Sequence, residues 1–513
     1  MSRDFSSVSS WSLRERRGRL ADVKTDKSLR RGIDKRRMEC TLRPMAKGFL
    51  PYNLDQRLLL PLDMRAWLPE GHLALFVSDV VDELDLSEIY AAYAGKDDRG
   101  RAGYHPTMMT KLVVYGYCVG TRSSRRIEQA THEQIAFRVL SGDQHPDHDC
   151  IAAFRQLHLK TLRGLFLQVL RLCQKAGLVK LGHVSIDGSK VGANASKHKA
   201  MSYGRMSEAS MKLEEEVARL LEEAERIDDE DDARYGKGKR GDELPEELQR
   251  RDNRLKKIRE AKAELEAQAK AKAEAQATEV NAKLEERAKK EAETGKKMSG
   301  KAPVVPDPET AKPDPKAQRN FTDPESRIMP DGANKGSFIQ GYNAQIAVDA
   351  EAQIIIAAEV LQEPNDKQQL VPMAEQVKQN VGRLPDVTSA DAGYFAEHAI
   401  ETLEQMGTNV LLPPHRQKHG ERAEAAQPLA QRASTTDWMR YKLLTPIARA
   451  LYRMRKAIVE PVFGQIKDAR GIRRFLLRGL AKVRAEFDLI ALTHNLLKLF
   501  RRAPRAIARR TAT

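Results

Sequence analysis

At 513 residues the chain is long enough for two or three domains, and 88 Lys plus Arg against 72 Asp plus Glu leave a net charge of +16. Four cysteines (Cys40, Cys118, Cys150, Cys173) without a CxxC pair argue against a disulfide framework or a cysteine zinc site, and fit a reducing compartment. No apolar run approaches the roughly 18 residues needed to cross a bilayer, and the N-terminus lacks a signal-type apolar stretch. A soluble, cytoplasmic, basic protein with a polyanion as its partner and no membrane association is the expectation.

Residues 1–44 are rich in Ser and Arg and lack hydrophobic periodicity. They read as a disordered basic extension. The abrupt onset of patterning at MAKGFLPYNLDQ favours translation from Met45 over an arm that holds DNA phosphates. Residues 45–180 read as an all-helical domain, with apolar spacings of three and four in HLALFVSDVVDELDL and in LRGLFLQVLRLCQKAGL. Between these runs Arg122, Arg125 and Arg126 mark a helix junction, where guanidinium groups and backbone amides can meet phosphates; an ordinary solvated helix start is the alternative. His145 and His148 in DQHPDHDC read as loop or core histidines rather than ligands.

Residues 181–203 contain the strand-like HVSIDGSKV. Composition then shifts, and 204–330 reads as a charged helical hairpin followed by a Pro-rich linker. Leu213, Val217, Leu220, Ala224 and Ile227 form a heptad-like seam, and Leu248, Leu255, Ile258 and Leu265 keep partial register. Acids and bases are mixed here, so a solvated face is expected rather than a DNA track. Residues 331–500 turn α/β: GYNAQIAVD and QIIIAAEVL form a hairpin, KQQLVPMAEQVKQN a helix, DVTSAD and NVLLPP short strands, and 445–500 helix again, before a basic tail at 501–513.

Three acids stand out. Asp187 and Asp391 end strand-like runs, and Glu460 lies in RKAIVEPVFGQIK. Carboxylates facing each other from neighbouring strand ends repel unless a cation intervenes, and such sites bind hard divalent ions that can activate water on a phosphodiester. Pro461 is tolerated in a helix's first turn or at a kink, so Glu460 is expected to cap a helix or point from its start, with Lys467 two turns along the same face.

SIDGSKV, GYNAQIAVD, SADAGYF and VEPVFGQIKDARGIRRFLLRG, in that order and with YHPTMMTKLVVYGY upstream, resemble the DDE-type transposases of bacterial insertion sequences, most closely the IS1182 type within the IS4/IS5 grouping. The resemblance spans about residues 48–500. It implies an RNase H-like α/β catalytic domain at 181–203 and 331–500, interrupted by the charged hairpin. Asp187, Asp391 and Glu460 would be the catalytic metal ligands for two Mg²⁺ or Mn²⁺ ions, with Asp187 bridging both. Implied partners are double-stranded DNA (terminal inverted repeats and target) and a second copy of the chain on DNA, in a bacterial, nucleoid-associated setting. Tyr452, Arg455, Lys467, Arg473 and Arg474 would join Arg122, Arg125 and Arg126 in binding DNA. The sequence has one residue more between Arg455 and Glu460 than the family signature, which rotates Tyr452 and Arg455 by about 100° relative to Glu460 and Lys467. That spacing keeps Glu460 and Lys467 in register and puts Lys456 at the strict arginine position. A catalytically inactive or repurposed DNA-binding descendant is the alternative; a purely structural coiled coil leaves the α/β half without explanation.

Overall fold

The computed structural model describes residues 63–93, 103–235, 246–294, 301, 303–332, 336–415 and 434–510; the expectations for 1–44 and for the start of the helical domain fall outside them. Seven helices come first: α1 (Leu73–Glu83), α2 (Ser87–Ala91), α3 (Pro106–Val119), α4 (Ser124–Glu133), α5 (Ile135–Ser141), α6 (His148–Leu157) and α7 (Leu159–Lys175). In α3, Pro106 opens the helix and Gly120 closes it with a left-handed φ of 81°. Only glycine fits at that cap, because a Cβ there would lie 2.7 Å from the carbonyl oxygen of Arg470. The helix is buried nearly all round, from Met108 to Cys118, as its dense apolar sequence requires. The two histidines are structural, as expected: His145 stacks on His132 at 3.9 Å and His148 meets Glu128 at 2.8 Å.

The sheet begins with β1 (His183–Gly192) and continues with β4 (Arg327–Pro330), β5 (Phe338–Asp349), β6 (Ile355–Leu361), β7 (Val387–Ser389) and β8 (Asn409–Leu411); β2 and β3 belong to the insertion described below. β5 runs antiparallel to β1, whereas β7 is parallel to β1 and β8 is parallel to β7. The outer edge of β5 is shared in series: β4 covers Phe338–Gly341 and β6 covers Asn343–Val348. α10 (Leu370–Val381) packs on β5 and β6, and α11 (Glu397–Gln405) packs beside β8. α12 (Thr435–Leu444) leads into α13 (Pro446–Gly464), which crosses β1 and β5, and α14 (Leu480–Arg510) lies between β6 and the helices α7 and α3. α14 carries the 501–510 backbone onward as helix, where a separate tail was expected. None of the helices among the described residues is long and apolar enough to cross a membrane.

The insertion stands on a two-stranded base, β2 (Ala200–Ser202) against β3 (Gln318–Asn320), from which α8 (Tyr203–Tyr235) and α9 (Glu246–Thr294) project. Its own small core joins Met206, Leu213, Leu255, Ile258, Ala261 and Leu265. Within the expected seam Leu213, Leu255, Ile258 and Leu265 are buried and Val217 and Leu220 are half-buried; the side chains of Ala224, Ile227 and Leu248 lie outside the described residues. The insertion closes at β3, earlier than the composition suggested, and β4 already belongs to the main sheet. Composition marks where charge density changes; strand pairing marks where the chain rejoins its domain.

Pro461 sits inside α13, near its end, and not in a first turn. A proline there removes the N–H that would bond the carbonyl of Ala457, four residues back. The Gln353 side-chain amide, from the β5–β6 turn, donates to that carbonyl at 2.9 Å instead. Gln353 holds a left-handed φ of 57°, and α14 grips it twice: Lys498 donates to its side-chain oxygen at 2.6 Å, and His494 Nε2 donates to its backbone oxygen at 2.9 Å. Replacing Gln353 with Ala should cost about 1–3 kcal/mol, because a carbonyl is left unpaired. In a Pro461→Ala background, where an N–H returns, denaturant unfolding should show a smaller cost for the same change. Equal costs in both backgrounds would contradict the exchange of partners.

Burial, reinforced by the nearby Arg470, drives the His494 imidazole down to about 3 from an ordinary 6.5. The unfolded chain therefore takes up a proton below pH 6.5 that the folded chain refuses, so stability falls as pH drops through that window. His494→Gln keeps a donor for Gln353 but does not titrate. The stability difference, wild type minus variant, is expected to be level above pH 7 and to decline by about 1.4 kcal/mol per pH unit below 6.5. Chemical denaturation of both proteins from pH 7.5 to 5 checks it; a level difference would remove the buried neutral histidine.

Candidate active site

β1 and β7 are parallel neighbours, His183 to Ser389, so the chain positions just beyond their pairing lie side by side. Asp187 is on β1 and Asp391 follows β7, where its carboxylate accepts from the Gly393 N–H at 2.8 Å and caps a single turn, Ala392–Tyr394. The Asp187 carboxylate accepts from the Gly188 N–H at 2.8 Å and from Arg455 of α13 at 3.3 Å, its side chain 19 % exposed. Burial pushes Asp187 up to about 6; Arg455 opposes the shift, and the negative charges of Asp391 and Asp366 add to it. The two expected aspartates are thus close enough to act on one another, which is how paired carboxylates at a cation site behave.

α13 supplies one wall, with the Arg455 guanidinium 5.9 Å from the Tyr452 ring centre. The Tyr452 hydroxyl is held above its ordinary range chiefly by burial, with Asp391 and Asp187 contributing through their charge. Lys467 Nζ donates to Ser189 Oγ at 2.5 Å and to the Lys190 carbonyl at 2.8 Å, and burial lowers its pKa. Strand alternation puts Asp187 and Ser189 on one face of β1, the face met by Arg455 and Lys467.

The other face carries residues that the sequence reading missed. Gly188 pairs with Gln345 and Lys190 with Asn343 across β1 and β5. Both amides are fully buried, and both donate to Asp366 Oδ1, from Asn343 at 2.5 Å and from Gln345 at 2.7 Å, with Lys190 Nζ at 3.4 Å. The buried Tyr394 hydroxyl donates to the Gln345 side-chain oxygen, and the negative charges of Asp366, Asp187 and Asp391 all raise its pKa, after burial. Asn and Gln alternating in the otherwise apolar GYNAQIAVD were the available signal, since two amides do not enter a strand core without partners.

Expectation and structure part at two residues. Glu460 is exposed. Five residues from Arg455 on a helix is about 140° of rotation, so the face that brings Arg455 to Asp187 turns Glu460 away. Lys467 itself lies in a π-helical turn, Gln465–Ala469, so 460 and 467 do not share a simple face. Among the described residues no group of three or more His, Cys, Asp or Glu is gathered as a metal site. The family signature's Tyr and Arg converge on the aspartates here, and its Glu does not. Arg122, in turn, is an interior residue: it donates to Glu486 at 3.3 Å and to the Arg474 carbonyl at 3.0 Å, with 10 % of its side chain exposed. Arg125, Arg126, Arg473 and Arg474 are exposed, with Arg473 pairing to Asp468 at 2.6 Å.

Two family models match the chain, a transposase DDE domain over residues 309–496 and the transposase domain DUF772 over residues 62–157. No curated protein and no solved structure matches it. The first match contains Asp391, Glu460 and the whole α13 wall, and the second contains α1–α6; β1, with Asp187, lies in the stretch between them. The mixed sheet, the paired aspartates and both matches identify the chain as a member of the DDE-type insertion-sequence transposases.

Gly188 is the most constrained position of the site. A Cβ there would collide with the Gln345 amide and lie 3.1 Å from Asn343 Oδ1. Gly188→Ala should therefore displace Gln345 from Asp366 and destabilise the fold by about 1–3 kcal/mol. Thermal unfolding reads the cost, and an unchanged midpoint would contradict the packing.

Proposed function

We propose that the chain is a DNA transposase, of the IS1182 type, that binds the ends of its own element, cuts them and joins them to target DNA. The observation that carries the reading is the pairing of Asp187 and Asp391 beyond adjacent parallel strands, with a cationic helix wall beside them. The strand order β6-β5-β1-β7-β8, with β5 antiparallel to β1, supports an RNase H-like catalytic domain.

The donor set suits a hard divalent cation, Mg²⁺ or Mn²⁺: two carboxylates are all oxygen, and such an ion completes its shell with water and substrate phosphate. Asp187 and Asp391 would hold it. When bound, it supplies Lewis-acid activation of water and stabilises the charge on the leaving oxygen. A second ion would call on a third carboxylate, the part that the family resemblance gives to Glu460. In the reaction, water adds to phosphorus as the bond to the 3′ oxygen breaks, leaving a 3′-hydroxyl and a 5′-phosphate. That hydroxyl then attacks a target phosphodiester, and the target's own 3′ oxygen leaves. Arg455 balances the Asp187 charge, Lys467 braces β1 through Ser189, and the exposed Arg473 and Arg474 meet phosphates beside the site. Arg125 and Arg126, exposed at the start of α4, are the DNA contacts of the helical region. Two ends must be brought together for joining, which makes a dimer on DNA the working form.

Asp187→Asn and Asp391→Asn should each reduce Mg²⁺-dependent cleavage of element-end DNA by more than about 10³-fold while leaving DNA affinity within about threefold. Wild-type binding without cleavage in Mg²⁺ or Mn²⁺ would establish the inactive, DNA-binding alternative instead.

A further inference from the structure

The turn that carries Asp391 is pinned from inside the sheet. Asp391 Oδ1 accepts from the Gly393 N–H at 2.8 Å, and the Asp391 carbonyl accepts from the Tyr394 N–H at 3.2 Å. A single turn held by local bonds of this kind is marginal by itself. Tyr394 supplies the fixed point. Its side chain is fully buried, and its hydroxyl donates to the side-chain oxygen of Gln345 on β5. The Gln345 amide cannot turn round: its nitrogen is committed to Asp366 Oδ1 at 2.7 Å and to Asn343 Oδ1 at 3.0 Å, which leaves the oxygen for the tyrosine. Gln345 in turn stands opposite Gly188, the residue after Asp187, so closely that a Cβ on Gly188 would strike its amide. Contacts thus run without a break from Asp187 to Asp391, through Gly188, Gln345 and Tyr394, on protein atoms alone.

We propose that Tyr394 is a positioning residue for the aspartate pair: through Gln345 it sets the place of the Asp391 carboxylate relative to Asp187 before any cation arrives. The inference rests on the cation site proposed above. Two carboxylates repel, so a turn free to swing would carry Asp391 outward and widen the pair. A pair held at its spacing loses little freedom when a divalent ion binds, whereas a loose pair has to be gathered first. Groups that orient a metal ligand without touching the metal change affinity by about 10–100-fold. Gly393 offers an independent way to move the same carboxylate. It is exposed, and a Cβ there would lie 2.9 Å from Asp391 Oδ1, so an alanine displaces the carboxylate and leaves Tyr394 in place.

The test uses the full chain without DNA and Mn²⁺ as the probe, with the free ion followed by electron paramagnetic resonance. Tyr394→Phe keeps the ring and removes the hydroxyl. It should weaken Mn²⁺ binding about tenfold and raise the Mn²⁺ concentration for half-maximal element-end cleavage by the same factor, with cleavage at saturating Mn²⁺ within about threefold of wild type. Gln345→Met removes the acceptor at nearly constant volume and should reproduce the shift. Tyr342→Phe controls for a merely structural loss: Tyr342 lies on the same strand, is equally buried and donates to Asp323 Oδ1 at 2.8 Å. That variant should lower the thermal midpoint and leave Mn²⁺ affinity unchanged. If Gly393→Ala and Asp391→Asn weaken Mn²⁺ binding while Tyr394→Phe and Gln345→Met match wild type, the positioning role is overturned and the cation site stands. An equal shift in Tyr342→Phe, or failure of both Tyr394→Phe and Gln345→Met to fold, makes the bond a requirement of the fold and overturns the role as well. Unchanged Mn²⁺ binding in Asp391→Asn overturns the cation site and the proposal together.

Discussion

A single buried carboxylate joins the parts of this molecule. Glu486 of α14 is 1 % exposed, and burial raises its pKa. It accepts from the N–H groups of Leu476 and Leu477, from the Tyr117 hydroxyl of α3 and from Arg122. A charge in that position is tolerable only while its donors stay in place, since an unpaired buried carboxylate costs several kcal/mol. The requirement locks the helical region, the last helix and the loop after α13 into one arrangement. That loop then runs beside the end of β1: Gly192 N–H donates to the Arg473 carbonyl at 3.1 Å and Phe475 N–H donates to Gly192 at 2.8 Å. The loop that carries Arg473 and Arg474 is thus positioned by a residue buried in the interior. Arg122 was a reasonable phosphate candidate by sequence, and its charge is needed inside for the same reason.

The site itself is divided by the sheet. One face of β1 carries Asp187 toward Arg455 of α13 and Ser189 toward Lys467 of the turn after it, and the other turns Gly188 and Lys190 toward the amides that hold Asp366. Acid clusters on both sides of one strand would repel without such partners, and each cluster has a basic group of its own, Arg455 on one side and Lys190 on the other. The alternation of a β-strand makes this separation automatic, because successive side chains point to opposite faces. Tyr394 and Gln345 link the two sides at the turn that follows Asp391.

How much of this was legible beforehand depends on the range of the interaction. The strands β1, β5, β6, β7 and β8 and the helix α10 were readable, because apolar runs and alternation are local and each element must bury one side. The position of Asp391 just beyond a strand followed from the same patterns, whereas Asp187, expected at the end of its strand, lies in the middle of β1. The charged hairpin was readable from composition, though not its closing strand, whose pairing partner lies more than a hundred residues away. Asp366 was not readable: its loop has no periodicity, and its significance comes from two amides on a different strand.

By itself, then, the amino-acid sequence determined the order of elements, the basic character and the two aspartates that lie in or just after strands, since those depend on residue type and short-range spacing. Only the tertiary structure decided which acids meet. Pro461 continues a helix because Gln353, from a distant turn, takes the carbonyl that proline leaves free. That continuation sets the rotation at which Arg455 reaches Asp187 and Glu460 faces solvent. A helix's phase relative to a sheet is a property of the contact between them, and no spacing within the helix contains it.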